Sequence, residues 1–453
     1  MKFERQYTFD LTEIESDISE LSCYFTFENA EVFTQENKLI FKEKVESDEI
    51  KTFELSVEVA AKTRPKLIAL LDVISFLTGI SITTYDVSSS SFGLVDDEML
   101  PISKEVNFFY EGVDITNDLN KILDFLTKDK FLIASILDKW NKANYLLQSD
   151  DSSVLLVDEA ILNYFHIFEL LSDTVKKDYE LRIENELNIL LKNFLNKISF
   201  DTDEVINSKI QEKKKVTREI LVGSFLPFKD KFKFFLETTE LFDENTSFFV
   251  DNLIKLRNSI AHGRMVYNMD IMAYPLPPFY NTSFRDRELV TPLTILAAVS
   301  ISKYIGINSW HYEWEEVKLL LQPSDTVIKK YLNNDLLDFN INAVNDFNIS
   351  WYSLYRFYIR CNNNMKINIE KKVKQELTII PFEELLIENI YDLAIILCTT
   401  QDKELFSIIR KIIKTAIEQN KYLYGNYKDI FYYLESINFN TKKIQEVVKD
   451  IIS

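Results

Sequence analysis

Residues 253–267 read LIKLRNSIAHGRMVY. Leu253, Leu256 and Ile260, with Phe249 a turn earlier, recur at the spacing of one helical face, so the stretch is the end of an amphipathic helix. Asn245 or Thr246 is the candidate N-cap and Gly263 the residue past the C-cap, which predicts a helix over 246–262. The chain has only 3 histidines, at positions 166, 262 and 311. His262 therefore falls in a last helical turn, where the backbone dipole favours imidazolium by up to ~2 kcal/mol in partly buried geometry. That makes it a candidate general acid. Asn258 precedes it by four residues and shares its face. Arg257 precedes it by five, about 140° round the axis on ideal geometry. Its long stem must curl to reach the same point, or a second copy of the helix must supply the partner. Arg264 adds positive charge, and guanidinium matches phosphate through its planar fork of donors.

Working outward, the helical period runs from about residue 115, with helices predicted near 116–128, 129–148, 154–174, 178–198, 203–220 and 229–240. Residues 273–289, AYPLPPFYNTSFRDREL, read as an irregular connection. Thr291 and Pro292 look like the N-cap and first residue of a buried central helix that Gly306 closes. The Asn/Asp-rich stretch 333–348 reads as a linker, and 349–453 as a further helical region without a fixed repeat.

The first 60 residues differ. Phe25, Phe27, Leu39, Phe41, Phe53, Leu55 and Val57 fall on period-two positions, which predicts a small antiparallel sheet. A helix then opens at Arg64-Pro65 and stops before Gly79, with Leu67, Leu70, Leu71, Ile74 and Leu77 as its apolar face. Residues 88–98, SSSSFGLVDDE, read as a loop, and a further strand is expected near Val106–Phe109. With 7 glycines in 453 residues, few tight hairpins or glycine-rich phosphate loops are expected.

Length points to two to four domains. The formal charge of −19 argues against a general nucleic-acid coat. It is unevenly spread: residues 1–100 hold 20 acidic and 9 basic side chains, whereas residues 209–233 hold 8 basic and 3 acidic. Within the basic stretch Lys213, Lys214, Lys215 and Arg218 form a candidate RNA-backbone guide, although such runs are most often a solvated helix face. Three distant cysteines make neither a disulfide framework nor a zinc site. MKFERQYTFD lacks the apolar run of a signal peptide, and the apolar stretch LIALLDVISFLTGISI carries Asp72 and is too short to span a bilayer. A soluble cytoplasmic protein without metal or cofactor is expected.

Arg257-Asn258-Ser259-Ile260-Ala261-His262 resembles the signature of the HEPN superfamily, whose ribonuclease members carry an arginine, a following polar residue and a histidine near a helix end. ILNYFHIFELL (161–171) resembles the first core helix of such bundles, with Glu169 inside the apolar run as a supporting residue. A β-rich region ahead of a bundle resembles the ApeA-like HEPN proteins of bacterial antiviral defence. The resemblance implies a mainly α fold in three parts: a β-rich sensor or regulatory domain over 1–112, an antiparallel helical bundle over 113–315, and a helical accessory region over 316–453.

It also implies metal-independent RNA cleavage, with tRNA among the substrates, in which the ribose 2′-hydroxyl attacks the adjacent phosphate. His262 then moves protons, Arg257 stabilises the phosphorane and Asn258 positions, with Arg264 in support. It implies a homodimer, and an abortive-infection effector or toxin answering a phage-derived trigger or regulatory protein. The competing reading is a non-catalytic HEPN-fold sensor or scaffold for a nucleotide, RNA or protein, in which His262 only terminates its helix. His166 is expected in or near the core, and His311 has no role.

Overall fold

The computed structural model describes residues 2–14, 17–46, 52–95, 105–148, 153–198, 202–221, 227–263, 287–336, 340–342, 349–423 and 425–453. The chain is mainly helical, with an N-terminal antiparallel sheet and a C-terminal helical region. Strands β1 (Lys2–Asp10), β2 (Ser22–Phe27), β3 (Ala30–Gln35), β4 (Lys38–Glu46), β5 (Val87–Leu94), β6 (Asn107–Tyr110) and β7 (Val113–Asp114) form one sheet in the order β5-β1-β4-β3-β2-β6-β7. The helices in chain order are α1 (Leu11–Ile14), α2 (Thr52–Thr78), α3 (Thr116–Lys128), α4 (Lys130–Gln148), α5 (Ser153–Thr174), α6 (Lys176–Ile198), α7 (Asp203–Leu221), α8 (Phe228–Thr238) and α9 (Glu244–Ala261). They continue with α10 (Arg287–Ile305), α11 (His311–Lys318), α12 (Asp325–Leu332), α13 (Trp351–Arg360), α14 (Asn363–Ile379), α15 (Ile387–Leu397), α16 (Lys403–Glu418), α17 (Tyr427–Ser436) and α18 (Lys442–Ile452).

Alternation sets the sheet's inner face. Phe25, Phe27, Leu39 and Phe41 are buried as their period-two spacing predicts. The scarcity of glycine does not prevent tight hairpins. Gln35↔Lys38 closes β3–β4 through Glu36 and Asn37, both at positive φ (51° and 58°), the backbone of a type I′ turn. Phe27↔Ala30 closes β2–β3 with Glu28 at φ 53°. Only β6–β7 spends a glycine, Gly112.

Two expectations for this region fail. Residues 52–59 are not a strand: α2 begins at Thr52 and runs through Pro65. Leu55 and Val59 are buried and Val57 is 56% exposed, and burial at i and i+4 fits period two and period 3.6 equally well. Pro65 faces solvent inside the helix, where its missing N–H leaves one carbonyl unserved. The serine-rich stretch expected as a loop is β5, paired along the sheet edge with β1 from Phe3↔Leu94 to Phe9↔Val87. Its side chains are half-buried or exposed throughout, so backbone pairing alone makes it a strand and no apolar alternation marks it.

The chain divides into two compact units: residues 1–241 with 293–314, and residues 242–292 with 315–453. This division cuts across the expected segments 1–112, 113–315 and 316–453. In the first unit α2 serves both the sheet and the helices. It packs on β1, β4 and α4, and Leu67, Leu70, Leu71, Ile74 and Leu77 are buried as expected. At its end Phe76, Trp140 and Trp310 form an aromatic cluster, with Phe76–Trp140 centroids 5.3 Å apart and Trp140–Trp310 5.6 Å apart. Trp310 Nε1 donates to the Phe76 carbonyl at 3.0 Å.

The predicted helices from α3 to α9 appear within two residues of their expected ends. Helix α10 starts earlier, at Arg287, so Pro292 lies inside it rather than opening it. Gly306 closes it at φ 79°, and most of its Leu293–Ile305 part, including Leu296, Ala297 and Ile301, is buried as expected. In the second unit one apolar core joins α12 through α18, centred on the almost wholly buried α15. Residues 264–286, 337–339 and 343–348, which include most of the two expected connections, lie outside the described residues. Among the described residues no helix is long and apolar enough to cross a membrane.

Candidate functional site

Helix α9 carries the residues of interest and belongs to the second unit. Its start differs from expectation. Asp243, in extended backbone, is the N-cap, and its carboxylate accepts from the Thr246 N–H at 2.7 Å. Asn245 instead accepts from the Ser324 N–H at 3.1 Å, where Ser324 is the N-cap of α12. Lys330 on α12 pairs with Glu244 at 3.0 Å. One helical start is thus tied to the neighbouring one.

The buried face of α9 runs through Thr246, Phe249, Val250, Leu253 and Leu256, then stops. Beyond it Asn258, Ala261, His262 and Gly263 are exposed, and Arg257, Ser259 and Ile260 are half-buried. The last turn therefore projects functional groups from a well-anchored helix. His262 is the C-cap, with φ −95° and ψ 10°, and its N–H donates to the Asn258 carbonyl at 3.2 Å. Gly263 follows at φ 63° and donates to the Ile260 carbonyl at 2.8 Å. The sequence reading of this terminus is correct in both residues.

Arg257 Nη1 donates to Asn258 Oδ1 at 3.4 Å, so the guanidinium bends toward the residue one turn before His262. Asn258 is then linked to both partners: to Arg257 by its side chain and to His262 by its carbonyl and by the shared face. Among the described residues nothing bonds the His262 imidazole. An exposed imidazole can exchange protons with a bound group, and a guanidinium held beside an amide can clamp an oxyanion.

The remaining candidates with described side chains belong to other elements. Glu169, half-buried on α5, and Lys213 and Lys214 on α7 belong to the first unit. Lys214 is paired with Glu184 of α6 at 3.3 Å, both about four-fifths covered, so it ties two helices together. Lys213 is 62% exposed and lies 3.7 Å from Glu212. The side chains of Lys215 and Arg218, and all of Arg264, lie outside what is described. His166 is exposed, not in or near the core: it points off the stripe formed by Tyr164, Phe165, Ile167, Phe168 and Leu171. His311 Nδ1 sits 3.0 Å from the Asn308 carbonyl as part of a turn.

A cleft of about 380 Å³ flanks the other end of α9, lined among others by Phe248, Asn252, Pro292 and Arg356. At 1.5 Å per residue, Phe249 and His262 are about 20 Å apart along the axis. This cleft is not the surroundings of the imidazole. No described group of three or more His, Cys, Asp or Glu side chains is arranged to hold a metal ion.

One polar constellation was not singled out from the sequence. Asp72, on α2, is 3% exposed, and Asn141 Nδ2 on α4 donates to its Oδ1 at 2.7 Å. Its signal was visible as one charge in an apolar run, which the sequence reading used only against a membrane span. No protein-family model, curated protein or solved structure matches the chain.

Proposed function

We infer that the chain is a metal-independent endoribonuclease of HEPN type, with Arg257, Asn258 and His262 as its catalytic set. The observation that carries this reading is the end of α9. His262 stands at the C-cap with its imidazole exposed, and the residue one turn earlier accepts a hydrogen bond from the adjacent guanidinium. In this reading a scissile phosphodiester lies over that last turn. The 2′-hydroxyl attacks phosphorus and the P–O5′ bond breaks, leaving a 2′,3′-cyclic phosphate and a free 5′-hydroxyl. His262 transfers the proton, Arg257 neutralises the charge that builds on the non-bridging oxygens, and Asn258 holds the guanidinium in place.

A second copy of the chain facing the first would double the cationic groups at that last turn, consistent with a homodimer. The cellular role is that of an antiviral effector or toxin acting on tRNA or other RNA in the cytoplasm, released by a phage-derived trigger or regulatory protein. Arg264, next but one after His262 in sequence, adds cationic charge to that end of the chain segment, and the exposed Lys213 is a candidate guide for the RNA backbone.

The test is cleavage of tRNA and total RNA by purified protein in EDTA, with the product ends identified chemically. Wild type is expected to give cyclic phosphate ends. His262→Ala is expected to lose activity by about 10²-fold or more, the ordinary worth of a positioned proton-transfer group. Full activity in His262→Ala, or 3′-hydroxyl products, removes the assignment. Binding without cleavage by wild type supports the non-catalytic sensor instead.

A further inference from the structure

Helix α2, the segment after it, and helices α4 and α5 line an open cavity of about 380 Å³, with Leu71, Asp72, Ile82, Asp138, Asn141 and Tyr145 among its walls. All of it lies in the first unit. Its floor is a saturated hydrogen-bond network with one gap. Asn141 Nδ2 donates to Asp72 Oδ1 at 2.7 Å and to the Ile82 carbonyl at 3.1 Å, which uses both its hydrogens. Asn141 Oδ1 accepts from Ser81 Oγ at 2.5 Å. Asp72 Oδ2 is buried and has no partner among the described residues. Buried carboxylate oxygens in folded proteins are almost always hydrogen-bonded, because desolvating one without compensation is costly.

We propose that this cavity is a binding site for a small organic cation, an ammonium or amidinium with an apolar body, whose N–H group donates to Asp72 Oδ2. Three observations favour a cation. The lining carries two carboxylates, Asp72 and Asp138, against one ammonium, Lys142, which is already paired with Asp138 at 2.7 Å. Two tyrosines also line the cavity, Tyr85, 85% exposed, and Tyr145, 39% exposed, and aromatic faces attract cations. The volume lies within the range of small-molecule sites, roughly 300–1,000 Å³. A water molecule is a poor alternative. It needs two to four polar partners, and the donors nearest Asp72, Asn141 Nδ2 and through it Ser81 Oγ, are already engaged. A metal ion is poorer still: Asp138 is already paired with Lys142, and among the described residues no three His, Cys, Asp or Glu side chains gather to hold one.

The titration of Asp72 gives the site a signature. Burial raises its carboxyl to about 7, Asp138 adds to the rise, and the hydrogen bond from Asn141 and the charge of Lys142 oppose it. A cation binds the ionised form, so binding expels a proton. Affinity then rises with pH, by about tenfold between pH 6 and pH 8 for a group half-titrated near 7.

The experiment is calorimetric titration of the full chain with phenethylammonium, benzamidinium and the neutral isostere 2-phenylethanol, at pH 6 and pH 8. Saturable binding of a cation is expected, at least tenfold tighter than the alcohol and tighter at the higher pH. Asp72→Asn is expected to fold, since it removes a buried charge and keeps the shape, and to lose both differences. Tyr85→Ala, at the exposed mouth, is expected to weaken cation binding in a protein with its carboxylate intact. If Asp72→Asn does not fold, the pH dependence and Tyr85→Ala decide. Failure of both cations to saturate, equal binding of the alcohol, or wild-type binding by folded Asp72→Asn each overturns the proposal. None of these readouts depends on Arg257 or His262.

Discussion

At the scale of single residues, two glycines read from the sequence as helix stops turn out to be unequal. Gly79 and Gly263 both sit at positive φ, 76° and 63°, where an L side chain costs roughly 1–2 kcal/mol. A Cβ on Gly263 would meet nothing within 4 Å, whereas one on Gly79 would lie 3.1 Å from Trp310 Cη2. The ring cannot retreat cheaply, because it packs on Phe76 and Trp140 and is tied by its Nε1 to the Phe76 carbonyl. Gly263→Ala is therefore expected to cost about 1 kcal/mol, and Gly79→Ala distinctly more, measured as the shift in the urea midpoint of the corresponding transition. Equal shifts would mean that the tryptophan is free to move. The backbone need for glycine was legible because it is local. The tryptophan contact was not, because it joins residues 231 positions apart.

At the scale of the element, the periods found in sequence recovered most helices and failed where two periods agree. Leu55 and Val59 suit strand and helix alike, and an edge strand of serines carries no period at all. Helix α15 shows what hydrophobic pattern cannot report. Nine of its residues are buried, and one of them is Asp392, 3% exposed with neither carboxylate oxygen partnered among the described residues. Burial raises this carboxyl from its ordinary 3.8 to about 7. The folded state therefore holds its proton where the unfolded chain has lost it. The contribution to stability is greatest below about pH 4 and declines as pH rises from there to about 7. Asp392→Asn removes the ionisation. It is expected to raise the denaturation midpoint much more at pH 8 than at pH 5, where only the first part of that decline has taken place. A gain of the same size at both values would place its origin in packing rather than in charge.

At the scale of the whole molecule, the sequence showed which helices exist but not how they are shared out. Local pattern cannot reveal that the chain leaves its first unit at 241 and returns at 293. Nor could it show that α9 is anchored by α12 from the C-terminal region, through Asn245 and Glu244. The region whose role was left open thus supports the helix that carries His262. Charge sets the last expectation. A chain of net charge −19 repels a polyanion at long range, and added salt screens that repulsion. If Arg257 and a few neighbours make the phosphate contacts, one or two counterions are released on binding, about 0.7 per contact for a single strand. The logarithm of kcat/KM for RNA cleavage should then fall with the logarithm of salt with a slope between zero and about −1.5. A coat of lysines would give a far steeper line. Steady-state kinetics from 50 to about 300 mM salt separates the two. A slope steeper than about −3 would move substrate binding away from the end of α9 to a basic surface such as that near Lys213.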